Sequence, residues 1–317
     1  MGEGSAPNRH VPVMMEQVVE LLDCKPGGIY VDGTLGGGGY SRAILERGAS
    51  VVVGMDWDAE AIERAHQGLG DYGQRLILER SDFADVRRVL SKHGIPEVDG
   101  VVVDLGLSSF QLDDAQRGFS FLREGPLDMR MNQGLPQTAA DMVNTLPEKE
   151  LADVIYRYGE ERLSRKIARA IVAARLKGRI DTTLELAELI RRAVPYTRDS
   201  LRIHPATRTF QALRIAVNRE LDSLERFLPE AFDVLKPGGR LCAVAFHSLE
   251  DRIVKETFRN WARKCRCPSE RPVCECEGRP LVRLLTRKAL RPGADEVGHN
   301  PRARSARLRA AQKLPPP

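Results

Sequence analysis

The run Asp32-Gly33-Thr34-Leu35-Gly36-Gly37-Gly38-Gly39 decides the fold of this chain. It follows the β-branched stretch Ile29-Tyr30-Val31 and precedes a helical pattern that begins near Tyr40. A glycine-rich turn between a buried strand and a helix lets backbone approach a ligand closely, because glycine lacks a Cβ and accepts positive φ. Working outward, short apolar runs over 28–35, 50–56, 75–79, 98–105 and 239–246 read as strands, apolar on both faces as in a buried parallel sheet. Amphipathic helical stretches fill the gaps, so the pattern is strand and crossover helix in alternation.

More than a hundred residues separate the fourth of these strands from the fifth, far beyond one crossover helix. Helical patterns over 148–158, 163–176 and 184–194, punctuated by Gly178 and Pro195, mark that segment as an inserted helical subdomain. A following helix over 207–228 repeats Phe210, Leu213, Val217, Leu221, Leu224 and Leu228 at core-facing spacing. Segments 280–288 and 304–312 alternate apolar and charged residues and are expected to end the sheet as an antiparallel edge pair. The expected fold is therefore α/β and Rossmann-like: residues 1–112 with 215–317 form a domain with a parallel central sheet and antiparallel edge, and 113–214 form the helical insertion.

With 42% hydrophobic and 29% charged residues, the chain reads as an ordinary globular protein. No apolar run approaches the roughly 18 residues of a membrane span, and Met1-Gly2-Glu3-Gly4-Ser5 lacks the basic and apolar regions of a signal peptide. A cytoplasmic protein with no membrane partner is expected. Residues 252–317 carry 17 Lys and Arg against 6 Asp and Glu, on a chain whose total charge is only +5. Such clustering suits a polyanion, most simply nucleic acid, through release of the counterions condensed on phosphate. A solvated tail that keeps the protein soluble is the other reading. Cys265, Cys267, Cys274 and Cys276 cluster, but a single intervening residue in each pair strains tetrahedral chelation, so no metal is expected. Cys24 and Cys242 stand apart and read as small buried residues.

Dinucleotide enzymes use a similar glycine turn to seat pyrophosphate on a helix N-terminus, so a nicotinamide oxidoreductase competes at this point. Asp32 closes the strand before the glycines, where a carboxylate suits a cation such as the sulfonium and amino groups of S-adenosylmethionine and repels pyrophosphate. About twenty residues on, Asp56 ends the second strand, where a carboxylate accepts ribose hydroxyls of either cofactor. Phe83 follows the third strand and is placed either beside an adenine or in the core. Asp104-Leu105-Gly106-Leu107-Ser108-Ser109 ends the fourth strand, where open α/β sheets meet their ligands, and it lacks the Asp/Asn-Pro-Pro-aromatic sequence of many amine methyltransferases.

The chain resembles the bacterial 16S ribosomal RNA cytosine-N4 methyltransferase family, RsmH or MraW, along nearly its whole length. The residues that carry the resemblance include His10-Val11-Pro12-Val13, the glycine turn through Tyr40-Ser41, Asp104 to Asp113, Arg117-Gly118-Phe119-Ser120-Phe121, Gly125 to Met131, Tyr158-Gly159-Glu160-Glu161-Arg162, His204 to Gln211, Phe246 to Arg252 and Asn300 to Ser305. The resemblance implies a class I methyltransferase domain, S-adenosyl-L-methionine as cofactor, and 16S ribosomal RNA, within the small subunit, as partner. It places cofactor contacts on Gly38, Gly39, Tyr40, Asp56, Phe83, Asp104 and Gln111. Another nucleic-acid exocyclic-amine methyltransferase is the nearest alternative, and a noncatalytic RNA-binding protein a further one.

Methylation of an exocyclic amine needs no strong base; it needs hydrogen-bond acceptors and collinear alignment of nitrogen, methyl and sulfur. Ser108 and His247, at neighbouring strand ends, are the candidates for touching the target base or relaying its proton, with a helix-capping or core role for His247 as the alternative. Ser248 reads as the N-cap of the helix after His247, with Glu250 and Asp251 behind it. Arg117, Phe119, Phe121 and Arg123 suggest either a lid over a flipped nucleotide or ordinary packing, and Arg302, Arg304, Arg307 and Arg309 suggest contacts to phosphates.

Overall fold

The computed structural model describes residues 12–194, 204–265, 267, 271, 273 and 278–316. It divides into two compact units, Met1–Gly106 with Leu221–Pro317, and Leu107–Glu220. These cuts lie at 106/107 and 220/221, whereas the sequence suggested 112/113 and 214/215.

The first unit is built on one seven-stranded sheet. Its strands are β1 (Ile29–Asp32), β2 (Val51–Asp56), β3 (Leu76–Arg80), β4 (Val98–Asp104), β5 (Leu235–Ala245), β6 (Val282–Leu284) and β7 (Arg307–Lys313), in the order β3-β2-β1-β4-β5-β7-β6. The first five pair in parallel, while β7 pairs antiparallel with both β5 and β6. The apolar character of both strand faces has a direct cause. Val31, Val53, Val101 and Val103 pack into one buried cluster, and their neighbours Tyr30, Val52 and Val102 into another. Strand order reverses between β1 and β4, which opens a crevice at their carboxyl ends, where Asp32 and Asp104 stand.

The second unit is helical. Ala139–Thr145, Glu148–Gly159, Ser164–Arg175, Thr183–Ala193 and Thr207–Asn218 gather around a core that includes Leu127, Met129, Ile155, Ile167, Leu186 and Leu213. The helix expected over 207–228 is two helices, Thr207–Asn218 and Glu220–Val234, broken at Arg219, whose φ of 50° is left-handed. The break is held by Asn218. Its amide donates to the Met129 carbonyl at 2.7 Å, and its Oδ1 accepts from the Met131 N–H at 2.7 Å. Among the described residues no helix is long and apolar enough to cross a membrane.

Candidate functional site

The glycine turn is clamped from three strands. Asp32, fully buried, accepts from the Ser41 hydroxyl at 2.7 Å and the Ser41 N–H at 3.1 Å, and its other oxygen accepts from the Thr34 N–H at 3.4 Å. Thr34 Oγ1 in turn accepts from the Asp104 N–H at 2.6 Å, tying the turn to β4. Asp56 ties it to β2, accepting from the Gly36 N–H at 2.9 Å and the Asp58 N–H at 2.8 Å. Gly38 has a φ of 76°, which strains any residue with a Cβ, and a Cβ there would also come 2.5 Å from Leu69 Cδ1, so that side chain would have to shift.

This arrangement corrects the charge argument made from sequence. Asp32 spends both oxygens inside the turn. The carboxylate left open is Asp104: its Oδ1 is shut off from solvent and has no hydrogen-bond partner. Burial, reinforced by the charges of Asp32 and Glu250, holds the Asp104 carboxyl well above the usual carboxylate range. Burial likewise pushes Asp32 and Asp56 up to about 6. An unpaired buried acceptor is costly, and Asp104, beside the buried Asp32 carboxyl, forms a site for a cationic hydrogen-bond donor.

The sign of the pH dependence follows. Carboxyls raised from 3.8 to about 6 contribute stability that is complete below 3.8 and lost as pH rises through about 6. A bound cation favours their ionised forms and restores what the free protein loses. Thermal stabilisation by S-adenosylmethionine is therefore expected to be larger at pH 7.5 than at pH 5 when measured at fixed ligand concentration by differential scanning fluorimetry. Equal shifts at the two pH values would contradict this.

Tyr40 occupies the first turn of the helix Gly39–Glu46, but its ring is in the core and its hydroxyl donates to the Val13 carbonyl. Burial, with the charges of Asp104 and Asp32, holds that hydroxyl well above its ordinary range. Phe83, half-buried, packs edge-on against Phe227 with ring centroids 5.1 Å apart. Asp82 beside it accepts from the Ser223 hydroxyl at 2.7 Å, a long-range tie the sequence did not signal. Gly38, Gly39, Tyr40, Asp56, Phe83 and Asp104 thus gather around the carboxyl ends of β1 to β4.

Gln111 and Ser108 belong to the second unit and form a reciprocal capping box at the short helix Ser109–Asp113. Ser108 Oγ accepts from the Gln111 N–H at 3.2 Å, and Gln111 Oε1 accepts from the Ser108 N–H at 3.1 Å. His247 is also a cap. It, and not Ser248, is the N-cap of the helix Ser248–Trp261, with Glu250 closing the box. The shift of one residue arises because Glu250 Oε2 accepts from the Phe246 and His247 N–H groups at 2.9 and 3.2 Å. His247 Nδ1 accepts from the Glu250 N–H at 3.4 Å, which assigns the ring proton to Nε2. Nε2 lies 3.1 Å from Glu250 Oε1, close enough for an ion pair but misaligned for a hydrogen bond.

The lid suggested by Arg117, Phe119, Phe121 and Arg123 is largely interior. Arg117 is 3% exposed and donates to the carbonyls of Arg130 and Met131 at 3.1 and 2.8 Å. Phe119 is buried, and Phe121 packs on Phe210 and His204 at 4.9 and 4.7 Å. Only Arg123 is exposed. Cys274 and Cys276, like His10 and Val11, lie outside the described residues.

Residues 7–314 match the model of the MraW methylase family. The chain is 64% identical over 306 residues to a ribosomal RNA small subunit methyltransferase H from Syntrophobacter fumaroxidans, covering 96% of each chain. A protein of the same name from Geobacter sulfurreducens is 54% identical over 307 residues, covering 96% of this chain and 99% of its own.

Proposed function

Because this chain belongs to the MraW methylase family, we propose that it transfers a methyl group from S-adenosylmethionine to N4 of a cytidine in 16S ribosomal RNA. The family match along residues 7–314 carries the reading. Support for the cofactor comes from Asp104 Oδ1, a buried acceptor that a cationic donor would complete. Gly38, Gly39, the backbone of Tyr40, Asp56, Phe83, Asp104 and Gln111 are the residues we assign to holding it. Both Asp56 oxygens keep a further lone pair for ribose hydroxyls while still accepting from Gly36 and Asp58.

Bound S-adenosylmethionine supplies an activated methyl on a sulfonium. What the chain contributes is position: holding amine and methyl in line is worth about 7 to 11 kcal/mol. Ser108 and His247 remain our candidates for the target base, in altered roles. Both accept backbone N–H groups in helix caps. The helical second unit is our candidate for gripping RNA, within the small subunit and in the cytoplasm.

The test is transfer of labelled methyl to small-subunit RNA from a strain lacking this protein. We expect incorporation at one cytidine as N4-methylcytidine. No incorporation would overturn the function, and incorporation at another base would move it to a different exocyclic amine. Thermal stabilisation by NADH and not by S-adenosylhomocysteine would favour the oxidoreductase reading.

A further inference from the structure

A pocket of about 310 Å³ opens in the first unit beside the end of β5, lined by Phe246, His247, Ser248, Arg291, Arg304 and Arg307 among others. We propose that it holds a backbone phosphate of the nucleic-acid substrate; the inference rests on the RNA reading above. A pocket of this size falls at the lower end of small-ligand sites and suits one nucleotide unit.

The three guanidinium groups come from three separately fixed segments. Arg291 follows Leu290, whose backbone exchanges hydrogen bonds of 2.9 and 3.0 Å with Leu308 of β7. Arg304 sits on the 3-10 turn Pro301–Ser305, whose start is capped by Asn300 Oδ1 accepting from the Arg302 N–H at 3.2 Å. Arg307 opens β7 and gives one nitrogen to Asp251 at 3.0 Å, which orients its fork. Arg309, suspected from sequence of a phosphate contact, is instead 11% exposed and bonded to Asp251 at 2.7 Å. Arg291 and Arg304 are exposed and have no carboxylate partner among the described residues.

Charges of one sign gathered around a pocket repel until an anion joins them, and guanidinium forks match phosphate oxygens in pairs. The N-terminus of the helix Ser248–Trp261 adds positive potential at Ser248. Of the acids in that turn, Asp251 already pairs with Arg307, and Glu250 has one carboxylate oxygen on the Phe246 and His247 amides, which leaves Arg291 and Arg304 as the cations for an incoming anion. Phosphate and carboxylate share this chemistry, and the test below separates RNA from the cofactor's carboxylate.

The experiment measures binding of a target-site RNA fragment to wild-type protein and to R291Q/R304Q over a series of salt concentrations. The variant is expected to bind more weakly, with a log K against log salt slope shallower by about 0.7 for each phosphate no longer neutralised. R291K/R304K should recover most of that slope. Thermal stabilisation by S-adenosylhomocysteine should match wild type in both variants, which also shows that they fold. An unchanged slope in R291Q/R304Q overturns the phosphate site, and loss of the S-adenosylhomocysteine shift with an unchanged slope overturns it in favour of a cofactor carboxylate. If wild type methylates the RNA while the slope is unchanged, the site fails and the proposed function stands. If wild type transfers no methyl to RNA, the function itself fails.

Discussion

Replacing Asp104 with Asn is expected to weaken binding of S-adenosylmethionine by about 10- to 100-fold, the value of one hydrogen bond to a charged group. The same change should make the ligand-free protein more stable. Asp104 Oδ1 is buried without a partner, and its carboxyl is held well above the usual range by burial and by the charges of Asp32 and Glu250. Near neutral pH the free protein bears the cost of that site, either as an ionised group in a poor environment or as a proton it would not otherwise bind. The amide has the same shape, removes the charge, and can donate where the carboxylate could only accept. Gains of this kind commonly reach about 0.5–2 kcal/mol and come with lost function. Isothermal titration and thermal melts of D104N check both halves. Higher stability with unchanged affinity would mean that the cation sits elsewhere. The loss should be of similar size for S-adenosylhomocysteine, which keeps the ammonium that can donate to Asp104 and lacks only the sulfonium, a group with no hydrogen to donate.

A second large effect is expected in the second unit, at Gly125. A Cβ on Gly125 would lie 1.8 Å from the carbonyl oxygen of Ala115, a backbone atom that no rotamer change can move. The segment cannot simply retreat. Gly125 donates to Thr183 Oγ1 at 3.2 Å and accepts from the Thr183 N–H at 3.0 Å, while the buried Thr183 hydroxyl donates to the Arg123 carbonyl at 3.0 Å. Gly125→Ala must break several of these bonds or distort the backbone, at about 3 kcal/mol or more. With about 2–4 °C lost per kcal/mol in a chain of this size, the melting temperature should fall by about 6–12 °C. Gly178→Ala is the control: nothing lies within 4 Å of a Cβ there, and its melting temperature should hold or rise slightly. A drop of equal size in both variants would place the cost in chain entropy and not in the clash with Ala115.

Much of the fold was legible because it is local. The strands announced themselves by being apolar on both faces, which only a sheet covered on both sides rewards, and Asp56 and Asp104 stand at strand ends as their spacing implied. The helix read over 184–194 is found at Thr183–Ala193, with Thr182 as its N-cap. Less legible were features set by a distant partner. Asn218 breaks a helix whose apolar repeat runs on past it, because Met129 and Met131 offer their backbone there. Arg117 and Phe119 alternate charge and ring as a lid would, yet both are interior, since the carbonyls of Arg130 and Met131 satisfy the guanidinium.

By itself, then, the sequence determined the alternation of strand and helix, the helical insertion, the position of the glycine turn and the chemical types at the strand ends. Which carboxylate is available was decided only by tertiary structure. Asp32 precedes the glycines and looks like the free charge, but Ser41 and Thr34 fold back and occupy it. Asp104, separated from Thr34 by seventy positions, meets it through its backbone and is left with a bare oxygen. A side chain's residue type sets what it can bind; whether it is free to bind depends on neighbours that arrive only when the chain has folded.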